Sequence, residues 1–339
     1  VAEPGRSMDA RVKPGHDMSM SGDQGPNPST FRPSSPLQGV LTALLAYGVF
    51  ATHDVLIKEV GQSHSVVQIL FFASLFAFLP VTLLLAADKA LDNLRPKNLG
   101  LVVLRTAAMV VSMTLGFYAF TTLALAETYA LLFSAPLLIT ALSVPMLGER
   151  VGLPRWIAVL VGLVGVLVVL RPGVSALGTG HVAALVAAFG SAMAAIIARK
   201  IAGKERGAVL VLYPLLANVA LMGLALPWVY KPMSFESLAL TAAIGVIAPV
   251  AQLLMVAAYR AAPAALIAPF QYSQMLWAVP YGFFFFGETP DAWVALGGAI
   301  VIGSGIFILW RESRGRTSRL TPTLARRNTR PDSGPQLRG

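Results

Sequence analysis

Amide and aromatic side chains recur along one apolar stretch of the chain at the spacing of a single helix face. Phe270, Gln274, Trp277 and Tyr281 follow one another at intervals of four, three and four residues, and Gln271 flanks the same face. Amides hydrogen-bond and aromatic rings stack, so this stretch indicates binding of a small organic molecule. Because a buried amide needs a partner, the alternative is that both glutamines bond to a neighbouring helix.

Similar side chains lie near the middle of other apolar stretches, when depth is counted at about 1.5 Å per residue. The candidate binding residues are Tyr47, Phe133, Ser134, Gln252, Phe270, Gln271, Tyr272, Gln274 and Trp277. This set suits a neutral or zwitterionic solute, flat or aliphatic. A polyanion would require Lys or Arg at the same depth.

Four ionisable residues within or at the ends of apolar stretches are candidates for gates or ion pairs. Asp54 and Lys58 are four residues apart, which is the spacing of an ion pair on a helix. They predict either a structural salt bridge or a gate that contacts a substrate carboxylate. Glu127 opens another stretch at a similar depth, and Arg105 lies about 9 Å inside a third.

The composition argues against several kinds of site. The 339-residue chain has no cysteine and four scattered histidines, so we expect no disulfide, no metal centre and no cofactor. It has no Gly-rich phosphate-binding loop of the Walker type, which argues against direct use of ATP. No nucleophile lies beside a base at matched depth, so we predict that the protein is not an enzyme.

The segments that carry these residues are long enough to cross a bilayer. Hydrophobic residues make up 56% of the chain, charged residues 12%, and the mean hydropathy is +0.69. About 20 apolar residues cross a bilayer core. Ten such segments are predicted, at 37–57, 66–86, 99–120, 126–147, 154–171, 181–198, 208–229, 237–259, 263–286 and 291–310. The predicted fold is therefore an all-α integral membrane protein with ten transmembrane helices in a lipid bilayer.

The ten segments form two copies of one unit. When the sequence is aligned with itself, Ser134 superposes on Ser273, and the Gly-Glu dipeptide that ends the fourth span superposes on its counterpart in the ninth. Since five is an odd number of crossings, the copies at 37–173 and 180–311 enter the membrane from opposite sides. An inverted 5+5 repeat of this kind implies alternating access to one central site.

The glutamates of the two Gly-Glu dipeptides, Glu149 and Glu288, are expected to cap helix starts, where a negative charge suits the helix dipole. Small residues such as Gly162 and Gly165 in the fifth span and Gly298 in the tenth allow helices to approach closely. These glycine-rich faces predict either an internal scaffold or the surface of a homodimer.

The distribution of basic residues predicts the orientation of the chain. One side of the ten-span arrangement carries Lys89, Arg95, Lys97, Arg150, Arg155, Arg199, Lys200, Lys204, Arg206 and Arg260 in short loops, and the other carries Lys58, Arg171 and Lys231. The positive-inside rule then places both termini in the cytoplasm of a bacterial inner membrane.

The two ends of the chain are predicted to be cytoplasmic tails. Residues 1–36 are rich in Pro, Gly and Ser, and this composition predicts disorder rather than a signal peptide or a domain. Residues 312–339 form a basic tail that anionic lipid would attract. The formal charge of +10 therefore reflects topology, and we expect no nucleic-acid partner.

A proline-interrupted fourth span that ends in Gly-Glu, followed by a glycine-rich fifth span, occurs twice. This pattern resembles the EamA-type members of the drug/metabolite transporter superfamily, over about residues 37–310. Segments 130–138, 147–152 and 170–173 are similar to the bacterial branch that includes riboflavin and S-adenosylmethionine uptake carriers. The second copy departs from the pattern by having Met275 where the first has Pro136.

This resemblance implies a secondary carrier for a small organic metabolite, with an efflux pump of the same family as the alternative. A membrane-embedded enzyme or a channel is a more distant alternative. Because the midplane candidates include no ionisable side chain, the sequence predicts facilitated diffusion or exchange rather than obligatory proton symport. In a proton-coupled carrier, Glu127 would be the coupling residue to test.

Overall fold

The computed structural model describes residues 36–87, 95–149, 151–172 and 177–316, and the regular elements in these ranges are helices. They are α1 (Pro36–Gly61), α2 (Val66–Ala87), α3 (Leu99–Thr122), α4 (Leu125–Leu132), α5 (Ala135–Leu147), α6 (Leu153–Leu170), α7 (Thr179–Ile201), α8 (Gly207–Val229), α9 (Phe235–Ala261), α10 (Ala264–Ile267), α11 (Ser273–Phe286) and α12 (Ala292–Arg316). A 3₁₀ segment, Ala268–Tyr272, joins α10 to α11. Most of both predicted tails lies outside the described residues.

Within the described residues, nine helical stretches are long and apolar enough to cross a membrane. One of them, Leu125–Leu147, combines α4 and α5. The predicted span at 263–286 is not among the nine, because the 3₁₀ segment interrupts it and α11 has only 14 residues. The all-helical membrane architecture is therefore confirmed for the described part of the chain, whereas the count of ten continuous spans is not.

The two interruptions fall at positions that the duplication relates. Pro136 lies in the first turn of α5, and Pro269 lies in the first turn of the 3₁₀ segment. Proline is tolerated there because the missing N–H would have no partner within the helix. Ser134 and Ser273, which are equivalent in the two copies, lie at the two breaks.

Helices α5 and α11 end in the same way. Gly148 and Gly287 have left-handed backbones with φ of 67° and 65°, which glycine adopts without steric cost. The amides of Gly148 and Gly287 donate to the carbonyls of Val144 and Phe283, four residues back along the chain, in the pattern of an αL cap. The same cap at equivalent positions agrees with a duplicated unit.

Contacts between helix ends define two faces of the helical bundle. At the distal face, the end of α1 meets the end of α3, where Gly61 lies against Thr121. At the terminal face, the start of α1 meets the end of α9, where Gly39 lies against Ala262. These two faces are the reference for the positions of the ion pairs and the core.

The hydrophobic core is continuous near the distal face and divided near the terminal face. One large cluster of buried residues draws on α1 to α4, α6 to α9, α11 and α12, mainly from their distal halves. Three separate clusters lie toward the terminal face: Ala43, Ala46, Tyr47, Met255, Ala258, Ala262 and Ile267; Val102, Ile197, Ile201 and Val209; and Leu137, Ala158, Val159 and Ile308. The helices thus pack together on the distal side and in separate groups on the terminal side.

Helices α6 and α12 pack closely through glycines. A Cβ added at Gly297 would lie 2.6 Å from the carbonyl oxygen of Gly165, and one at Gly162 would lie 2.6 Å from the hydroxyl of Ser304. By contrast, a Cβ at Gly303 would meet nothing within 4 Å. These contacts fit the scaffold alternative, and a homodimer stays a prediction.

Candidate functional site

The two helix breaks touch each other through aromatic rings. Phe133 and Tyr272, which the duplication relates, lie edge to face with ring centroids 5.0 Å apart. Tyr129, one turn before Phe133, stacks on that ring at 5.8 Å. The two breaks therefore meet at equivalent residues of the two copies.

The serines that follow these two rings are buried and unpaired. Ser134 is 2% exposed and Ser273 is 8% exposed, and neither hydroxyl has a hydrogen-bond partner within the described residues. A buried polar group without a partner costs about 1–3 kcal/mol. Two equivalent unpaired hydroxyls therefore lie beside the Phe133–Tyr272 contact.

A chain of polar side chains links α1, α4 and α11 on the distal side of the breaks. Nδ1 of His53 lies 2.8 Å from Oδ1 of Asp54, and the Tyr129 hydroxyl donates to Oδ2 of Asp54 at 2.5 Å. The side chain of Gln274 lies within hydrogen-bonding reach of the same tyrosine. His53 also packs edge to face against Phe117. His53 and Asp54 are both buried, so this network is shielded from solvent.

The predicted Asp54–Lys58 pair is wrong, because each residue has a different partner. Nζ of Lys58 lies 2.8 Å from Oε1 of Glu288 and donates to the carbonyl oxygen of Leu123 at 2.5 Å. The other carboxylate oxygen of Glu288 accepts from the amide of Leu125 at 2.9 Å, at the start of α4. Glu288 therefore caps a distant helix, not the helix that follows it in sequence as predicted.

The terminal face carries a related ion pair. Nη2 of Arg199 lies 2.6 Å from Oε1 of Glu149. Glu149 is the counterpart of Glu288, and Arg199 precedes Lys200, which the duplication superposes on Lys58. The side chains of the distal pair are 12% and 19% exposed, and those of the terminal pair are 36% and 38% exposed. Each pair joins the first long helix of one copy to the Gly-Glu dipeptide of the other.

Glu127, predicted as a gate or ion-pair residue, contacts His181 across the starts of α4 and α7. The Nε2–Oε1 distance is 3.0 Å. Nδ1 of His181 accepts from the amide of Gly178 at 3.0 Å, so the proton of the neutral ring is on Nε2 and points to the carboxylate. Glu127 thus links the two copies near the distal face.

Arg105 compensates for a proline in the neighbouring helix. Pro214 lies inside α8 and has no N–H, so the carbonyl of Leu210, four residues earlier, loses its helical donor. Nη1 of Arg105 donates to this carbonyl at 2.7 Å. This contact favours a structural role over the predicted gating role.

We expect the Arg105→Met and Pro214→Ala substitutions to be non-additive. Loss of the guanidinium leaves a partly buried carbonyl unpaired, which costs about 1 kcal/mol. Alanine at 214 restores the backbone donor, so Arg105→Met should then cost less. A double-mutant cycle on melting temperatures in detergent measures this coupling, and additive losses would contradict the assignment.

The other predicted binding residues are divided between two regions. Phe133, Ser134 and Tyr272 meet at the breaks, Gln274 lies beside Tyr129, and Gln271 precedes Tyr272 in the 3₁₀ segment. Tyr47 and Phe270 instead belong to the cluster of α1, α9 and α10, Gln252 is exposed on α9, and Trp277 packs over Gly48.

Sequence reasoning missed three members of the arrangement at the breaks. Tyr129 is four residues before Phe133 and shares its helix face, and Ser273 is the counterpart of Ser134, so both carried a signal. The third member is His53, and nothing in the sequence indicated that it contacts Asp54.

Comparison with known proteins agrees with this arrangement of two similar halves. The chain matches the model of the EamA-like transporter family twice, over residues 37–171 and 178–310. A solved crystal structure shares the fold, with a TM-score of 0.55 and 18% identity, over 84% of this chain and 98% of that one.

Several curated relatives are similar over nearly their whole length. The S-adenosylmethionine uptake transporter of Rickettsia prowazekii is 27% identical over 287 residues, which are 84% of this chain and 96% of that protein. The riboflavin transporter of Vibrio cholerae is 28% identical over 296 residues, 84% and 97% of the two chains. The pseudopaline exporter of Pseudomonas aeruginosa is 26% identical over 268 residues, 78% and 93%. With two family matches that cover most of its length, this multi-pass membrane protein belongs to the EamA-like transporter family.

Proposed function

We propose that the protein is a secondary carrier that moves a small organic metabolite across the membrane by alternating access. The observation that carries this proposal is the contact between the two helix breaks, where Phe133 and Tyr272 meet beside two unpaired serine hydroxyls. Carriers built from inverted repeats bind substrate at the repeat interface, beside interrupted helices.

The contacts of the interrupted segment support ten crossings in two inverted sets of five. Ile267 of α10 clusters with Ala43 near the terminal face, and Glu288 after α11 pairs with Lys58 at the distal face. The segment between them therefore crosses the bundle once. Five crossings in each copy make the second copy inverted.

The divided core supports a conformation that is open toward the terminal face. On the distal side, the buried hydrophobic residues form one cluster. On the terminal side, they form three separate clusters. The more buried ion pair is also the distal one.

The side chains at the breaks favour a neutral or zwitterionic substrate with a planar part. Phe133, Tyr129 and Tyr272 offer aromatic faces, while the serine hydroxyls and Gln274 offer hydrogen bonds. Riboflavin-like, S-adenosylmethionine-like and amino-acid-like solutes are the candidates. Because one relative is named as an exporter and another as an uptake transporter, export is the alternative direction.

A thermal-shift screen of metabolites on the purified protein, followed by counterflow in proteoliposomes, tests the proposal. A ligand that binds the folded state raises its melting temperature, and a carrier shows counterflow that a channel does not. Gln274→Leu should weaken both signals while membrane insertion persists, because Leu is favourable in lipid. Leu276→Ala, at an exposed site on the same helix, is the control. Equal transport by both variants would remove Gln274 from the site.

We further propose that the terminal face is cytoplasmic, with the protein in the bacterial inner membrane. The chain has no cysteine, so an introduced cysteine is its single thiol. In intact cells, a membrane-impermeant maleimide should label Gln62→Cys in the distal loop and should label Lys204→Cys only after permeabilisation. The reverse pattern would contradict the orientation that the positive-inside rule gives.

A further inference from the structure

Asp54 is a buried carboxylate whose partners are not permanent cations. Within the described residues, Lys and Arg side chains that form ion pairs do so with Glu288, Asp291 and Glu149, and Asp54 contacts His53 and Tyr129 instead. A charge removed from water is stable only when it is paired or neutralised. Asp54 lies about 11 Å from the distal end of α1, where snorkelling to water is limited.

The network occurs in one copy of the duplicated unit only. The alignment of the two copies superposes His53 and Asp54 on Ala195 and Ile196. Ile196 is fully buried in its own copy, so the fold itself does not need a polar residue at this position. A polar pair that one copy has and the other replaces with apolar residues points to function rather than packing.

We propose that His53, Asp54 and Tyr129 form a proton-binding site that couples substrate movement to a proton gradient. This inference rests on the proposed carrier function and specifies its driving ion. It replaces the facilitated diffusion or exchange predicted from the sequence, and it places the coupling residue at Asp54 instead of Glu127. A metal cation would require several oxygen ligands, whereas both neighbours of Asp54 are groups that exchange protons. No cluster of His, Asp and Glu able to hold a metal occurs in the described part of the chain.

The hydrogen bonds define how a proton on Asp54 reaches the breaks. When the carboxylate is ionised, it accepts from Tyr129 and from His53. When a proton from solution binds to Oδ2, that oxygen carries a hydrogen and no longer requires the tyrosine as a donor. The Tyr129 hydroxyl then turns to the side chain of Gln274, which already lies within reach. The charge state of α1 is thus transmitted to α11.

The other titratable groups near this site have partners of their own. On the elements packed around Asp54 they are Lys58 with Glu288, Glu127 with His181, Tyr281 with Thr52, Tyr118 with Thr179, Arg105 with the carbonyl of Leu210, and Tyr259 with Tyr47. Glu236 and Arg260 lie in the first and last turns of α9, away from the network. Glu127 with His181 is a second carboxylate–histidine pair, but Asp54 differs from it by also accepting a hydrogen bond from a tyrosine.

Infrared difference spectra between pH 8 and pH 5 test the proton site on the full chain in proteoliposomes without substrate. The expected result is a carboxylic-acid carbonyl band at pH 5 that Asp54→Asn removes. Glu127→Gln and Glu149→Gln should retain it. A band that persists in Asp54→Asn, or disappears in Glu127→Gln alone, would overturn the assignment.

Maleimide labelling of a reporter cysteine tests the coupling. Ala126→Cys lies buried near the distal end of α4, so its labelling rate follows the opening of that side. The rate should change between pH 8 and pH 5 in the otherwise unaltered chain and should lose this dependence with Asp54→Asn. Tyr129→Phe keeps the carboxylate and removes the link to Gln274, so it should retain the infrared band and lose the pH-dependent labelling. Retained dependence in both variants would overturn the coupling.

Counterflow of a metabolite found in the thermal-shift screen separates the two levels of inference. If counterflow occurs but Asp54→Asn leaves the pH dependence of labelling unchanged, the carrier function stands and the proton site is wrong. If no metabolite shows counterflow, the carrier function fails whatever the infrared spectra show, and with it the coupling to transport.

Discussion

Replacing Glu288 with alanine should destabilise the protein by about 3 kcal/mol, the lower end of the cost of removing one partner from a buried ion pair, because both side chains keep some exposure. The substitution leaves the ammonium of Lys58 buried with only the carbonyl of Leu123 as partner, and it leaves the amide of Leu125 without its acceptor. Both effects act at the distal face, where the core is continuous. The melting temperature in detergent measures the loss.

The duplication supplies a matched control for this prediction. Glu149→Ala removes the equivalent carboxylate at the terminal face, where both side chains of the ion pair are more exposed. Ion pairs in that environment contribute about 0–1 kcal/mol, so the melting temperature should change little. Equal losses from the two substitutions would show that burial of the distal pair does not determine its strength.

A double-mutant cycle identifies the partner of Lys58. Lys58→Gln and Glu288→Gln should be strongly coupled because the two groups touch, whereas Lys58→Gln and Asp54→Asn should be close to additive. Strong coupling only in the second cycle would restore the pair that sequence spacing predicted.

The contrast between these two pairs shows which part of the site was accessible from sequence. A spacing of four residues predicts that Asp54 and Lys58 share a helix face, but it does not identify the residues that pack against this face. Lys58 is paired with a glutamate of the other copy, and that glutamate, Glu288, caps an amide back in the first copy. Such contacts depend on how helices from two copies pack, which no local pattern encodes.

Features that repeat were predicted better than features that occur once. The Gly-Glu ends of α5 and α11 followed from one shift of the sequence against itself. The same shift pairs Ser134 with Ser273, although Ser273 was left out of the predicted binding residues. The break in the second copy was less apparent, because Met275 replaces Pro136 and Pro269 lies earlier. The His53–Asp54 contact has no counterpart in the other copy, so the repeat in the sequence could not indicate it.

Gly305 is the position where a single methyl group should have the largest effect on substrate binding. A Cβ at this glycine of α12 would lie 1.7 Å from the Tyr272 hydroxyl, so Gly305→Ala must displace the tyrosine ring. That ring is in edge-to-face contact with Phe133 at the meeting point of the two breaks. Overpacking of a well-packed site costs about 1–3 kcal/mol. If the binding site bears this cost, substrate affinity should fall about tenfold or more.

The same helix provides the control, and the tyrosine provides the rescue. Gly303→Ala adds a methyl group two residues away where nothing lies within 4 Å, so ligand-induced thermal shifts and counterflow should stay unchanged. In the Gly305→Ala background, Tyr272→Phe removes the nearest clashing atom and leaves a ring carbon at 2.7 Å as the closest contact. Affinity should then recover in part, because a smaller displacement of the ring relieves the remaining overlap. Unchanged affinity in Gly305→Ala, or a Tyr272→Phe exchange that lowers affinity further in this background, would mean that the Tyr272–Phe133 contact does not shape the substrate site.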